Sequence, residues 1–236
     1  MFKKYKRIII KVSGEALMSK NGQENIDLAV IKQLAISIKK LAKKGYQVGL
    51  VFGAGNIWRG RMVKGIKIDR VVADQMGMLA TEINALAVAA VLNAIGQPAK
   101  VLSALSISKV VEDFHHQRAI EYMKNRKVVL LAGGTGNPFF TTDTAFVLRA
   151  VEIGAEHIFK ATNVRGVYSA DPKKNPKAKF FKTISYQQAL DKNLKVMDAT
   201  AFALAQEQKL PLTIFQYSPA NLIKAVTKNN IGTKVY

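Results

Sequence analysis

The sequence has no cysteine, three histidines and few acidic residues, with 16 Asp and Glu against 36 Lys and Arg. Without cysteine, the chain can form neither a disulfide framework nor a thiolate zinc site. The histidines are too scattered along the chain to form a histidine-based metal site. We therefore expect no metal ion held by the protein's own side chains.

Long apolar runs are also missing. The first one, Ile8 to Ile10, is too short for a signal peptide and is typical of a β-strand. No run approaches the roughly 20 apolar residues that a membrane-spanning helix needs. We expect a cytoplasmic protein with no membrane contact.

The formal charge of +20 is large and raises the question of nucleic-acid binding. The lysines, however, are spread along the whole chain, and the densest group, Lys173 to Lys179, lies in a proline-broken loop that is typical of a solvated surface. We expect no specific nucleic-acid partner. A positive field does favour anionic ligands such as nucleotides.

Predicted strands and helices alternate along all 236 residues, a length that suits one α/β domain. This pattern predicts a mostly parallel sheet covered by helices on both faces, a three-layer αβα sandwich. The predicted strands are 5–12, 48–52, 100–102, 127–132, 157–160, 212–215 and 233–236. The predicted helices are 27–45, 69–95, 117–124, 143–153, 185–190, 198–209 and 221–227.

Three glycine turns each follow a predicted strand: Lys11 to Gly14, Gly53 to Asn56, and Gly133 to Asp143. Glycine lets the backbone approach a ligand closely, and the start of a helix attracts phosphate. In parallel sheets such turns meet at the carboxyl edge, where ligands bind. The third turn therefore predicts a phosphate site, although an ordinary turn capped by Thr142 or Asp143 would have the same composition.

Several known nucleotide-binding signatures are absent, including Gly-x-x-x-x-Gly-Lys-Ser/Thr, a spaced Gly-x-Gly-x-x-Gly and the protein-kinase motifs. The strings that are present run Lys11 to Leu17, Asp74 to Thr81, Gly134 to Asp143 and Leu194 to Asp198. Together they resemble the bacterial UMP kinases of the amino-acid kinase superfamily, over essentially the whole chain. The resemblance implies transfer of the ATP γ-phosphoryl group to UMP, in pyrimidine nucleotide biosynthesis.

Three catalytic residues follow from the resemblance: Lys11 contacting the transferred phosphoryl group, Arg59 bridging the phosphates, and Asp143 orienting the lysine and the substrates. A phosphate acceptor is already largely ionised, so the chemistry needs cations and positioning instead of a general base. The alternatives are a solvent-facing lysine on an edge strand, a surface arginine and a plain helix cap. Lys160 is a weaker candidate for a second phosphate cation.

The resemblance places ATP over the first two glycine turns and the loop that follows the strand at 157–160. In that loop Tyr168 would flank the adenine, although a tyrosine in a hairpin is as often a packing residue. Mg²⁺ is expected, held mainly by ATP phosphates and water. The predicted ATP-binding residues are Lys11, Val12, Ser13, Gly14, Gly55, Arg59, Thr162, Asn163, Tyr168 and Asp171.

UMP should lie against the third glycine turn and Asp74, whose carboxylate can accept ribose hydroxyls. The alternatives are that Asp74 only stabilises a helix N-terminus, and that Phe139 and Phe140 are core residues and do not line a uracil pocket. The predicted UMP-binding residues are Ala54, Asp74, Thr135, Gly136, Asn137, Pro138, Phe139, Phe140, Thr141 and Thr142.

Assembly and regulation are likewise implied by the resemblance. Family members are commonly homohexamers inhibited by UTP and activated by GTP. In this chain the long helix reads Ala89 to Asn93 without the family's ionisable side chains, so GTP activation is in doubt. We expect residues 1–155 to bind UMP and form the oligomer, and residues 156–236 to bind ATP.

Two other functions fit the sequence less well. A member of the same superfamily could phosphorylate a carboxylate such as glutamate, aspartate or carbamate, but the string from Asn137 to Thr142 argues against it. A nucleotide sensor or nucleic-acid binder could use the fold and the charge without catalysis. The retained Lys11, Arg59 and Asp143 argue for an enzyme.

Overall fold

The computed structural model describes residues 5–58, 68–194, 196–228 and 230–236. Its strands are β1 (Arg7–Val12), β2 (Gln47–Phe52), β3 (Ala99–Ser103), β4 (Glu112–Asp113), β5 (Val128–Ala132), β6 (His157–Thr162), β7 (Thr183–Ile184), β8 (Leu212–Gln216) and β9 (Thr233–Val235). Its helices are α1 (Leu28–Lys43), α2 (Arg70–Ala94), α3 (His116–Lys124), α4 (Thr142–Glu152), α5 (Tyr186–Asp191), α6 (Ala199–Glu207) and α7 (Pro219–Lys228), with a short 3₁₀ helix at Gly14–Leu17.

The described strands form one sheet in the order β4-β3-β5-β2-β1-β6-β8-β9-β7. All neighbours in this order pair in parallel except β8 and β9, which are antiparallel. The predicted mostly parallel α/β sheet is confirmed. Its centre is β1, which lies between β2 and β6 and is buried at Ile8, Ile9 and Ile10.

Successive side chains of β1 enter two different cores. Ile8 and Ile10 pack with α1, α2 and α7 on one face of the sheet. Ile9 packs with α3, α4, α5 and α6 on the other face. Because strand side chains alternate between faces, this division is the physical basis of the predicted three-layer arrangement.

The longest helix, α2, is the one described helix that is long and apolar enough to cross a membrane by length and composition. Half of its apolar window is buried inside the protein, against α1 and the sheet. A helix in the core of a protein can meet the same criteria of length and composition, and α2 packs as a core helix. Four large apolar side chains of α2 remain exposed, at intervals of four, three and four residues: Val72, Met76, Leu79 and Ile83.

The predicted elements agree with the structure within a few residues, with two exceptions. The strands β4 and β7 are two residues long each and were not predicted. Such short strands have too few residues to show an alternating pattern. The basic stretch after Trp58, which contains Arg59, lies outside the described residues.

Candidate active site

The candidate site lies at the carboxyl ends of four adjacent strands, β5, β2, β1 and β6. Each end is followed by a segment singled out in the sequence: Gly133 to Thr142 after β5, Gly53 to Asn56 after β2, Ser13-Gly14 after β1, and the loop from Asn163 after β6. The sheet therefore brings the three glycine turns to one edge, as predicted.

At the centre of this edge, Asp143 lies between two lysines. The Lys11 Nζ atom is 2.5 Å from Asp143 Oδ1, and the Lys160 Nζ atom is 2.7 Å from Asp143 Oδ2. Lys160 also donates to the backbone carbonyl of Val196. Lys11 and Lys160 are direct partners in the pairing of β1 with β6, so the same register places both ammonium groups beside the carboxylate. The alternative of an edge-strand lysine is wrong, because β1 is central.

Burial and charge set the protonation of this group. Burial would raise the pKa of Asp143, but the charges and hydrogen bonds of Lys11 and Lys160 hold that pKa below its usual value. Burial lowers the pKa of Lys160, the nearby Lys11 lowers it as well and Asp143 raises it, and the resulting pKa is about 8. The cluster carries one negative and two positive charges near neutral pH, so it has a net positive charge to offer a phosphate.

The N-terminus of α4 faces the same cluster. Its N-cap is Thr141, whose hydroxyl accepts a hydrogen bond from the backbone N–H of Asp143 at 3.0 Å. The expectation that Thr142 or Asp143 caps the helix is wrong, because α4 begins at Thr142 and both residues lie in its first turn. Asp143 is thereby free to point its carboxylate at the lysines instead of at the helix backbone.

A second carboxylate, Asp198, holds α4 against α6. It caps α6 by accepting from the backbone N–H of Ala201 at 2.7 Å, and it accepts from the Thr144 hydroxyl at 2.9 Å. The Thr141 hydroxyl also contacts it. Asp198 ends one of the strings that carry the family resemblance, which is the signal that could have identified it, but the sequence alone assigned it no role.

The first two glycine turns touch each other. A Cβ atom added at Gly14 would lie 2.2 Å from Asn56 Oδ1 and 2.6 Å from the backbone oxygen of Gly53. Only glycine fits this contact without movement of the backbone. A buried pair of amides fixes the second turn, because Asn84 Nδ2 donates to the Gly53 carbonyl and to Asn56 Oδ1, both at 2.8 Å.

Beside Lys160 lies a cavity of about 570 Å³, on the side of the sheet edge predicted for ATP. Tyr168 lines it and makes an isolated antiparallel bridge to Phe180, with ring centroids 5.3 Å apart. Tyr168 is thus both a packing residue and a cavity residue. The predicted ATP-binding residues that line this cavity are Thr162, Tyr168 and Asp171. The volume is in the range of small-molecule sites.

On the other side of Lys11 lies a smaller cavity of about 190 Å³. Ala54, Asp74, Phe140, Thr141 and Thr142 line it, as predicted for the UMP side. A third cavity, of about 510 Å³, contains Lys11, Asp143 and Lys160 and shares lining residues with each of the other two. The three cavities therefore adjoin, with the charged cluster in the middle.

The remaining predicted UMP residues form the loop above the small cavity. Thr135, Gly136, Asn137 and Pro138 do not line it, and Thr135 instead closes a turn with the backbone of Asn137. Phe139 has a φ of 72°, an unusual conformation for a bulky residue, and its side chain is 65% exposed. The interpretation of Phe139 and Phe140 as core residues is wrong, since both are exposed.

Asp74 holds this loop in place. Its Oδ2 atom accepts from the backbone N–H of Phe139 and from Arg70 Nε, each at 2.8 Å. The Arg70 guanidinium lies 5.8 Å from the centre of the Phe139 ring. Asp74 is in the second turn of α2, whose N-cap is Asp69, so its carboxylate stabilises the loop and not only the helix end.

The other predicted ATP residues have local partners. Val12 is buried, Ser13 precedes the 3₁₀ helix, and Gly55 lies in the turn after β2. Asn163 donates to Glu15 Oε2 at 3.1 Å, and Asp171 accepts from the backbone of Lys173 at 2.9 Å. Arg59 lies outside the described residues, so its predicted place between the phosphates stays a prediction.

Two residues of α2 that were given no role from the sequence, Thr81 and Glu82, support the third glycine turn. Thr81 Oγ1 accepts from the Gly133 backbone N–H at 2.9 Å. Glu82 is buried and accepts from the Ser103 hydroxyl, and its second oxygen is one of the buried polar atoms without a hydrogen-bond partner in the described part of the chain. Burial raises the pKa of Glu82 to about 7. No periodic or motif signal marks a glutamate on the inner face of an apolar helix.

Among residues 5–58, 68–194, 196–228 and 230–236, no group of three or more His, Cys, Asp or Glu side chains could hold a metal ion. Asp143 is engaged by two lysines, and Asp198 by hydroxyl and backbone donors. The donor set therefore suits a metal ion that arrives with a phosphate ligand better than one held by the protein alone.

Comparison with known proteins agrees with this geometry. The sequence model of the amino acid kinase family matches residues 6–216. A uridylate kinase from Legionella pneumophila (strain Paris) is 50% identical over 233 residues, which cover 98% of this chain and 94% of that protein. The chain belongs to the uridylate kinases of the amino acid kinase family. Another uridylate kinase, from Methylococcus capsulatus, is 49% identical over 97% of this chain and 96% of its own length.

Solved structures of uridylate kinases have the same fold as this chain. The UMP kinase from Bacillus anthracis superposes with a TM-score of 0.93 at 33% identity, covering 99% of this chain and 96% of that one. The UMP kinase from Ureaplasma parvum superposes with a TM-score of 0.91 at 40% identity, covering 98% and 99%. The expected amino-acid kinase fold is confirmed.

Proposed function

We propose that this chain is an ATP-dependent UMP kinase, which reversibly transfers the γ-phosphoryl group of ATP to UMP and gives UDP and ADP. The observation that carries the proposal is the position of the Lys11–Asp143–Lys160 cluster between two adjoining cavities on one sheet edge. The uridylate kinase relatives at 50% and 49% identity support UMP as the acceptor.

The transfer step needs no protein base. An oxygen of the UMP phosphate, already ionised, forms a bond to the γ-phosphorus while the bond from that phosphorus to the β,γ-bridging oxygen breaks. The electron pair leaves with ADP. Lys11 and Lys160 stabilise the charge on the migrating group, and Asp143 keeps both ammonium groups in position. No covalent enzyme intermediate is involved.

We assign ATP to the cavity of about 570 Å³ and to the turns at Gly14 and Gly55, with Mg²⁺ bound mainly through the phosphates. UMP occupies the cavity of about 190 Å³. Since this volume is smaller than a nucleotide needs, the loop above the cavity moves outward when UMP binds. Arg59 is proposed to bridge the two sets of phosphates. On this proposal UMP and the oligomer contacts fall within residues 1–155, whereas ATP is held by residues 156–236 together with the turns at Gly14 and Gly55.

A carboxylate acceptor is the second candidate within the same family. A carboxylate substrate needs a cation or several N–H donors where uracil would lie, yet the described lining of the small cavity has neither lysine nor arginine. Its aromatic side chains, Trp58 and Phe140, suit a base better. The geometry therefore favours a nucleotide acceptor.

We also propose that the protein is a homo-oligomer that pairs through α2. Val72, Met76, Leu79 and Ile83 are spaced by four, three and four residues and are 39% to 48% exposed. An apolar stripe at this spacing is the usual seam of two packed helices. A hexamer, inhibition by UTP, a cytoplasmic location and a role in pyrimidine nucleotide biosynthesis are proposed on the resemblance to uridylate kinases.

Acceptor specificity tests the proposed function. ADP release from MgATP should be measured with UMP, CMP, dUMP, glutamate, aspartate and carbamate offered separately. We expect rapid turnover with UMP and little with the carboxylates. Preference for a carboxylate would show that the small cavity has been assigned to the wrong substrate, and silence with all acceptors would favour a nucleotide-sensing role.

A further inference from the structure

A basic groove lies outside the candidate active site. It has a volume of about 740 Å³, larger than the cavity assigned to ATP. Four separate parts of the chain contribute a cation to its wall: Arg165 from the loop after β6, Lys182 just before β7, Lys228 at the end of α7 and Lys234 in β9. None of the described residues that line it is an aspartate or a glutamate.

The absence of carboxylates extends beyond the lining. Residues 172–190 and 208–236, which supply three of the four cations, contain no aspartate or glutamate. None of the four cations forms an ion pair within the described ranges 5–58, 68–194, 196–228 and 230–236. Because their mutual repulsion is uncompensated there, an anion bound among them would gain from all four at once.

One of these cations, Arg165, stacks on an aromatic ring that also lines the groove. The Arg165 guanidinium lies 4.6 Å from the centre of the Phe180 ring. A guanidinium stacked on a ring keeps its N–H groups at the edge, where they can bind two oxygens of one phosphate. The amide side chains of Asn221 and Asn230 also line the groove, so it offers hydrogen-bond donors besides charge.

We propose that this groove is a second anion site, which binds a small molecule carrying a chain of phosphates, such as a polyphosphate or the triphosphate of a nucleotide. The four cations are complementary to the several negative charges that such a chain carries near neutral pH. A cation would bind poorly to this wall, since its described lining has no carboxylate to hold one.

The groove shares a structural element with the ATP cavity. Residues 163–183 form a hairpin-like excursion in which Tyr168 faces the ATP cavity and its bridge partner Phe180 faces the groove. The base of the excursion is fixed to β9, because Thr233 Oγ1 accepts from the Val167 backbone N–H at 2.9 Å. An anion in the groove would therefore contact residues 163–183 on the side opposite the ATP cavity. This consequence, unlike the site itself, rests on the proposed kinase function.

The binding experiment uses inorganic tripolyphosphate and isothermal titration calorimetry at about 150 mM KCl. The test variant is Lys182→Ala with Lys234→Ala. The matched control is Lys173→Ala with Lys177→Ala, two exposed lysines of the acid-free loop that do not line the groove. Both double variants lose the same charge and keep the active-site cluster, so any difference between them reports on the groove.

We expect the groove variant to lose one binding event, or to weaken it at least tenfold, while the control binds like the unmodified protein. Equal weakening in both variants would mean that the net charge attracts the ligand without a site. No change in the groove variant would mean binding at the active site or an adventitious ion only. Either result overturns the proposal, and neither depends on kinase activity.

Kinetics then test the link to ATP. Tripolyphosphate that only competes with ATP raises the KM for ATP linearly and leaves kcat unchanged. We expect the unmodified protein to depart from that linear pattern and the groove variant to follow it. Linear competition in both proteins would overturn the link, while the binding result would stand by itself.

Discussion

At the scale of single residues, the site depends on one carboxylate between two ammonium groups. Asp143 is 14% exposed in its side chain, and Lys11 and Lys160 are 13% and 11% exposed. A buried carboxylate with one lysine would be neutral overall, whereas a second lysine leaves one positive charge for the migrating phosphoryl group. The sequence identified Lys11 and Asp143 and gave Lys160 less weight, because only the register of β1 with β6 shows that the two lysines are neighbours.

The pH dependence of the reaction should report on Lys160. Its pKa is lowered to about 8, so the free enzyme loses this positive charge as the pH rises through that value. We expect kcat/KM for ATP to fall above about pH 8, by up to tenfold per pH unit. Lys160→Arg, which stays charged, is the comparison in the same assay. Identical alkaline profiles for the two proteins would contradict a role for the Lys160 charge.

Asp74 should affect the acceptor and not the donor. Asp74→Ala removes the acceptor of the Phe139 backbone N–H and frees Arg70, so the loop over the small cavity loses its anchor. We expect the KM for UMP to rise about tenfold to a hundredfold, as for loss of a charged hydrogen bond of roughly 1.5–3 kcal/mol. Steady-state kinetics with each substrate varied in turn would measure it. An unchanged KM for UMP would refute the assignment.

At the scale of secondary-structure elements, the site is made by the ends of strands and the starts of helices. Glycine, capping residues and apolar periodicity are local signals. They predicted the glycine turns, the start of α4 and the succession of strands and helices along the chain. The sequence did not predict three other features of the site. These are the cap at Thr141, the support from Thr81 and Glu82, and the contacts of Asp198 with α4. The supporting and bracing contacts join residues 21 to 54 positions apart. The cap could not be assigned because Thr142 and Asp143, next to Thr141, have the same capping chemistry.

Contact between two of these turns can be tested at Gly14. A Cβ there would meet the backbone oxygen of Gly53 at 2.6 Å, so Gly14→Ala must push the turns apart. We expect a loss of about 1–3 kcal/mol in unfolding free energy and a raised KM for ATP. The control for stability is Gly77→Ala, whose added Cβ would make an ordinary 3.6 Å contact with Trp58. Equal stability of both variants would show that the two turns do not pack as described.

At the scale of the whole molecule, one sheet edge carries the proposed sites for both substrates, and α2 exposes a stripe of apolar side chains. The cluster at Lys11 lies in the middle of the nine described strands, with the proposed ATP side towards β6 and β8 and the proposed UMP side towards β2 and β5. The fold class could be predicted from the alternation of elements, but the strand order could not, since pairing of distant segments leaves no local trace in one sequence. The charge of +20 is spread widely and does not select a partner.

Oligomer formation should depend on the exposed stripe of α2. Leu79→Glu with Ile83→Lys places opposite charges on this stripe without changing the net charge. We expect the assembly to dissociate to smaller species in size-exclusion chromatography with light scattering. Leu28→Glu, at a leucine that is 62% exposed on α1, is the control and should leave the mass unchanged. An unchanged mass for the α2 variant would place the interface elsewhere.

Phosphoryl transfer by the Lys11→Ala variant tests whether the Lys11 ammonium group takes part in the reaction. Formation of UDP from UMP and MgATP should be measured at saturating substrate, with the affinities for ATP and UMP measured separately. We expect ready formation of UDP by the unmodified protein and a loss in kcat of about 10²–10³ in the variant, with affinities changed by only a few-fold. A variant that forms UDP at close to the unmodified rate would contradict it, because the cation at the centre of the three cavities would then not take part in the transfer.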